Sequence, residues 1–151
     1  MDHAPILICY DGSEPARTAI RVAAGLLGPS PRDRARRGAP VHTCGALRRS
    51  GLGCQRGGIR ARPRRRGRRA AAEGSDIARA AGFSATPRGS VAAPTWEEIL
   101  DVAEETRASA IVIGSHGRTG VREFVVGSVS HDLMQHSSLP VLVVPPQTRR
   151  H

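Results

Sequence analysis

Three short, unbroken apolar runs limit what this chain can become: Ala4 to Tyr10, Ala110 to Ile113 and Leu139 to Val144. Each is too short for a buried helix and too uniformly apolar for a strand with one wet face. Such runs are strands covered on both sides, as in parallel sheets sandwiched between helices. The segments between them supply the helices. Ser13 can cap one, with Glu14 and Pro15 suited to its first turn. Ile20, Ala23, Ala24 and Leu27 then form an apolar stripe that Gly28-Pro29 ends. Ala70 to Ala81 is Ala-rich and helical in pattern despite Gly74, and Phe83 to Pro87 reads as a short strand. Thr95-Trp96-Glu97-Glu98 has the form of a capping box, with Ile99, Leu100, Val102 and Ala103 following on one apolar side. Gly127 to Ser137 is the last helix, and Pro145-Pro146 closes the last strand. Strands alternating with helices predict a single α/β domain over 1–151, with parallel strands and right-handed crossovers.

One segment breaks this pattern. Arg32 to Arg69 carries fourteen of the chain's 23 basic residues, every one an Arg, against a single acid, Asp33. The rest of the chain has nine Arg and twelve acids, so the formal net charge of +10 describes neither part. A second strand is due just after Gly28-Pro29, yet no apolar run longer than two residues stands there. Three readings fit. The segment is a long solvated loop, or a basic arm for nucleic acid, or a stretch translated out of frame between two compensating shifts near residues 30 and 70. The absence of Lys and Asn from the whole chain suits a genome rich in G and C, in which wrong frames are rich in Arg, Gly, Pro, Ala and Cys. The intact mass of the protein from its host, set against the 16.0 kDa of this chain, decides the last reading: a match removes it.

Other function classes fall away on composition. Aromatic residues are 3% (Tyr10, Phe83, Trp96 and Phe124), too few for a stacking platform for single-stranded nucleic acid. Cys9, Cys44 and Cys54 form neither a disulfide framework nor, with His42, a paired zinc motif. Cys9 reads as an inert core thiol, and His131-Asp132 as an exposed helix face. Ser115 and His116 lack an activated third partner, so a hydrolase triad is unsupported. The chain opens without a basic leader and holds no long apolar run, which predicts a soluble cytoplasmic protein without a membrane partner.

The informative stretch runs from Gly114 to Ser128, from the end of one strand to the start of a helix. Its glycines let the backbone approach a ligand closely. Amides at Gly117 and at the Gly127-Ser128 helix start can converge on an anion, aided by the helix dipole. A crevice beyond the carboxyl ends of parallel strands is where such folds hold ligands. A long turn leading into a well-capped helix would read the same way. A Walker A loop is excluded because no Lys exists, and no G-x-G-x-x-G is present.

The pattern Gly-x2-Gly-x9-Gly-Ser, with Ser115-His116 in the first gap and a terminal Pro-Val-Leu-Val-Val, resembles the ATP-binding subgroup of the universal stress protein (UspA-like) family. The opening Ile-Leu-Ile-Cys-Tyr-Asp-Gly-Ser-Glu and the segment from Trp96 to Ala110 match as well. The resemblance spans roughly residues 4–29 and 70–146. It implies a five-stranded doubly wound parallel sheet in the order 3-2-1-4-5 with helices on both faces. It implies that Gly114, Gly117, Gly127 and Ser128 hold the phosphates of ATP, with Mg²⁺ an open question. His116 and Arg118 lie in the same loop, and Asp11 would meet the ribose unless it serves only as the turn residue before the first helix. Adenine would rest at the end of strand two, where Val41 is the nearest candidate although Pro40 cannot donate to a central ladder. The strand Val141 to Val144 would pair with its twin across a homodimer, covering an apolar edge. The expected role is a nucleotide-dependent binding or signalling module in the stress response, not an efficient enzyme, with slow hydrolysis left open. The alternatives are a nucleic-acid-binding protein acting through 32–69, and a relative with a disrupted adenine site that holds no nucleotide.

Overall fold

The computed structural model describes residues 4–28, 39–45, 61–88, 95–115 and 126–146. Its centre is β1 (Ile6–Tyr10), buried at every position. Ile6, Ile8 and Tyr10 point into one apolar layer, and Leu7 and Cys9 into the other. This two-sided burial is why the run has no polar alternation. Each large aliphatic side chain withdrawn from water contributes about 1.5–3 kcal/mol.

Around it stand α1 (Glu14–Leu27), β2 (Pro40–Gly45), α2 (Ala61–Ala80), β3 (Ser84–Arg88), α3 (Thr95–Glu105), β4 (Ala110–Gly114), α4 (Ser128–His136) and β5 (Val141–Val144). The five strands are parallel in the order β3-β2-β1-β4-β5, as the sequence resemblance implies. Ile6 is in register with Val41 on one side and Ala110 on the other. α1 and α2 cover one face through Ala16, Ala19, Ile20, Ala23, Ala70 and Ala78. On the other face, α3 contributes Ile99, Val102 and Ala103, and α4 contributes Leu133.

The Arg-rich segment departs from expectation. A second strand is present at Pro40–Gly45, hydrogen-bonded between β1 and β3. It is hard to read because Val41 is its only large aliphatic residue. Its inward polar residue, Thr43, is satisfied: the Oγ1 hydroxyl donates to the Ala71 carbonyl (2.7 Å) and lies 3.2 Å from Ser75 Oγ. Pro40 occupies the first position of the strand, where a missing N–H is tolerated. α2 likewise begins at Ala61, nine residues before the Ala-rich stretch, so 61–69 is helix. Residues 32–38 and 46–60 of the segment lie outside the described residues.

The sheet side of α2 explains how an Arg-rich sequence packs. Gly67, Ala70, Ala71, Gly74, Ser75 and Ala78 are buried, at spacings of three and four, while the arginines between them are exposed. Small residues let the helix lie very close to the sheet. A Cβ on Gly45 would collide with the backbone carbonyl of Gly67, and one on Gly74 would sit 2.9 Å from the Tyr10 ring. Gly74, costly for a helix in isolation, is thus the seat of an aromatic side chain.

Tyr10 links three elements. Its hydroxyl donates to Glu73 Oε1 (2.7 Å) and accepts from Arg17 Nε (3.1 Å), while Arg17 Nη2 holds the same carboxylate oxygen at 2.7 Å. Burial, then the hydrogen bond to Glu73, pushes the Tyr10 hydroxyl from 10.0 up to about 12.

Two outcomes follow from this packing. Gly45→Ala forces β2 and α2 apart and costs about 1–3 kcal/mol, read as a lowered urea midpoint; an unchanged midpoint would show that the helix lifts away freely. The raised Tyr10 value favours the neutral hydroxyl in the fold. Its stabilisation is complete below pH 10 and is lost as pH rises through about 12. Alkaline unfolding of the Tyr10→Phe variant should therefore lack part of the fall in stability seen in the parent over that interval.

Candidate functional site

Between β1 and β4 the order in which strands are added to the sheet switches sides. The strands that follow these two lie on opposite sides, since β2 neighbours β1 and β5 neighbours β4. A doubly wound sheet opens a crevice at such a point.

The β1 side of the crevice is made by Asp11, Gly12 and Ser13. Asp11 is half-buried, and its Oδ1 accepts the Ser13 amide at 2.9 Å, a local turn. Gly12 has φ +83°, a conformation that L side chains rarely adopt. Ser13 caps α1 as expected, its Oγ accepting the Ala16 amide at 3.3 Å. The Asp11 carboxylate is thus held at the strand end by its own turn, and Oδ2 meets no donor among the described residues.

The β4 side is built from backbone. Gly114 ends the strand so close to α1 that a Cβ there would stand 3.0 Å from the Pro15 backbone. Next to it the buried Ser115 donates its amide to Val144 (2.8 Å) and accepts the Gly127 amide on its carbonyl (2.7 Å). That second bond closes the neck of the loop between 115 and 127. Ser130 Oγ donates to the Gly114 carbonyl at 3.1 Å, pinning the first turn of α4 to the strand end. Gly127 is the N-cap of α4 and has no side chain to bond the first-turn amides. The first intrahelical bond runs from the His131 amide to the Gly127 carbonyl (2.9 Å), which places the start of α4 at the end of β4. The two helix starts differ accordingly: α1 is closed by its own serine, whereas α4 has a bare glycine cap, the arrangement that suits an anion.

The structure brings Gly114, Gly127 and Ser128 together, with Asp11 on the neighbouring strand end. It does not bring Val41 there. Val41 is the second residue of β2, in register with Ile6 at the amino end of β1, and is buried in the layer beneath α1 and α2. At about 3.3 Å per residue it is some ~13 Å from the strand's other end. Cys44 and Gly45 stand at the edge where strand two was expected to contribute. His116, Gly117 and Arg118 lie outside the described residues. Ser115 and Ser130, which fix the loop neck, were missed as positioning residues; the sequence signal was a Ser two positions beyond Ser128.

Cys9 and Cys44 are buried and in register on adjacent strands. Burial pushes the Cys9 thiol well up, with smaller contributions in the same direction from Cys44 and Asp11, as befits an inert core group. Among the described residues no helix is long and apolar enough to cross a membrane.

Comparison with known proteins agrees with this architecture. A universal stress protein of Bacillus subtilis is 51% identical over 47 residues, 31% of this chain and 32% of that protein. One from Methanocaldococcus jannaschii is 44% identical over 48 residues, 32% of this chain and 30% of that protein. These matched stretches thus span under a third of either relative. Among solved structures, the universal stress protein of Archaeoglobus fulgidus in complex with dAMP superimposes with a TM-score of 0.61 at 26% identity, covering 95% of this chain and 99% of that one. The sequence model of the universal stress protein family matches residues 3–145, and the chain belongs to that family.

Proposed function

We propose that this protein binds ATP in the crevice between β1 and β4 and acts as a nucleotide-dependent binding module in the stress response. The observation that carries the reading is the glycine-capped start of α4, drawn onto the end of β4 by the bond from the Gly127 amide to the Ser115 carbonyl. The complex of the A. fulgidus relative with dAMP supports an adenine nucleotide as the ligand class. In this reading the first-turn amides of α4 and the Ser128 hydroxyl take the phosphates. Gly117, His116 and Arg118 are assigned to the same phosphate group by motif alone, and Asp11 accepts a ribose hydroxyl. Adenine would then rest by Cys44 and Gly45 rather than Val41.

Backbone amides hold phosphate without moving a proton, and no Lys is present to reach the γ-phosphate. The site therefore suits capture and release rather than turnover. Occupancy at the end of β4 would act on the adjacent β5, the strand we assign to a homodimer through Val141 to Val144. Sedimentation velocity tests that pairing, which a monomer at every concentration would overturn. We place the protein in the cytoplasm, where ATP is abundant.

Calorimetric titration tests the site. ATP at a hundred times its Kd should raise stability by about 2.7 kcal/mol, seen as a higher Tm. Gly127→Val should remove the binding heat while leaving far-UV helicity nearly unchanged. Undiminished affinity in that variant would overturn the phosphate assignment, and absent binding in the parent would identify a relative that holds no nucleotide. Repeating the titration with and without Mg²⁺ decides whether the metal accompanies the nucleotide.

A further inference from the structure

The helix that emerges from the Arg-rich segment has a charged face that the nucleotide reading does not use. Arg65, Arg66, Arg68 and Arg69 are all exposed. At 100° per residue they span roughly 160° of the α2 surface, centred opposite the buried stripe of Gly67, Ala70, Ala71 and Gly74. The close approach of Gly67 to Gly45, the last residue of β2, places this turn at the carboxyl edge of the sheet.

None of the four arginines is paired with an acid among the described residues, whereas Arg17, Arg21 and Arg79 each hold a carboxylate within 2.9 Å. The helix has no acid in its first turn; its acids, Glu73 and Asp76, come later and are engaged by Arg17 and Arg79. With no acid paired to them among the described residues, the four guanidinium groups on adjacent turns repel one another, and a polyanion relieves that repulsion.

From this geometry we propose that the outer face of α2 docks the phosphate backbone of double-stranded nucleic acid without reading its sequence. Guanidinium groups suit phosphate oxygens in geometry as well as charge. A duplex fits better than a single strand, because α2 itself carries no aromatic residue to stack an exposed base. It also fits better than an anionic membrane: interfacial helices insert a face of large apolar residues, and among the described residues the apolar face of α2 is already packed on the sheet.

The test is fluorescence anisotropy of a short labelled DNA duplex of arbitrary sequence, titrated with the full-length protein at several salt concentrations. Each neutralised phosphate contributes about −0.9 to the slope of log affinity against log salt. Three or four contacts predict a slope of about −3 to −4, a loss on the order of a hundredfold between 50 and 200 mM salt. Replacing Arg65, Arg66, Arg68 and Arg69 together by Gln, which keeps helix propensity, should flatten the slope and remove most of the affinity, with unaltered circular dichroism. The corresponding four-Lys protein should retain binding. Gly127→Val should leave the duplex affinity untouched, so failure of the nucleotide site and failure of this surface are distinguishable. A four-Gln protein with the parent's slope would assign binding to other arginines and overturn the proposal. So would capture by phosphatidylserine vesicles without capture by the duplex.

Discussion

Everything else in this fold is hung on the burial of β1 from both sides. A strand with no face toward water must have hydrogen-bonded neighbours on both edges and a helical layer above and below. β2 and β4 supply the edges. The helix pairs α1–α2 and α3–α4 supply the layers, filled on one side around Ile8 and Tyr10 and on the other around Leu7 and Cys9. The position of the crevice follows. With β1 in the middle, the connections after β1 and after β4 must leave in opposite directions, and the gap between their first turns is where a ligand can enter.

The two sides of that crevice are built differently. On the β1 side a carboxylate and a serine are spent on local turn chemistry, the one accepting the Ser13 amide and the other capping α1. On the β4 side the described contacts are mostly backbone: Gly114 pressed against the Pro15 turn, the Ser115–Gly127 bond across the loop neck, and a glycine cap on α4. Side chains at those places would either collide with α1 or satisfy the helix amides internally. The glycine cap makes no side-chain bond to the first turn of α4, an arrangement that suits an anion.

The Arg-rich segment shows how misleading average charge can be. Where it is described, its packing positions are occupied by the smallest residues and its arginines are directed outward. Close contact between Gly45 and Gly67 substitutes for the large aliphatic residues that would ordinarily hold a helix to a sheet. Such packing rests on shape more than on buried area, so few apolar letters are needed to specify it.

Local sequence alone was sufficient for the apolar strands and most helices. Ile6 to Tyr10 and Ile111 to Ile113 are apolar because both faces are buried, and Ser13 precedes its helix because the first-turn amides need an acceptor. The strand order 3-2-1-4-5 and the pairing of Gly114 with Gly127 and Ser128 came from likeness of motif, since no local rule dictates either. Tertiary structure alone decided the rest. Pro40–Gly45 becomes a central strand because β1 and β3 offer it hydrogen bonds on both edges, an advantage that its own residues do not announce. Val41 is carried away from the crevice because register with Ile6 puts it at the strand's amino end. Gly74 is correct in mid-helix only because the Tyr10 ring, sixty-four positions earlier in the chain, has to lie there. Propensity and periodicity report what a residue prefers among its neighbours in sequence. Which distant backbone or ring will press against it is settled only when the layers close.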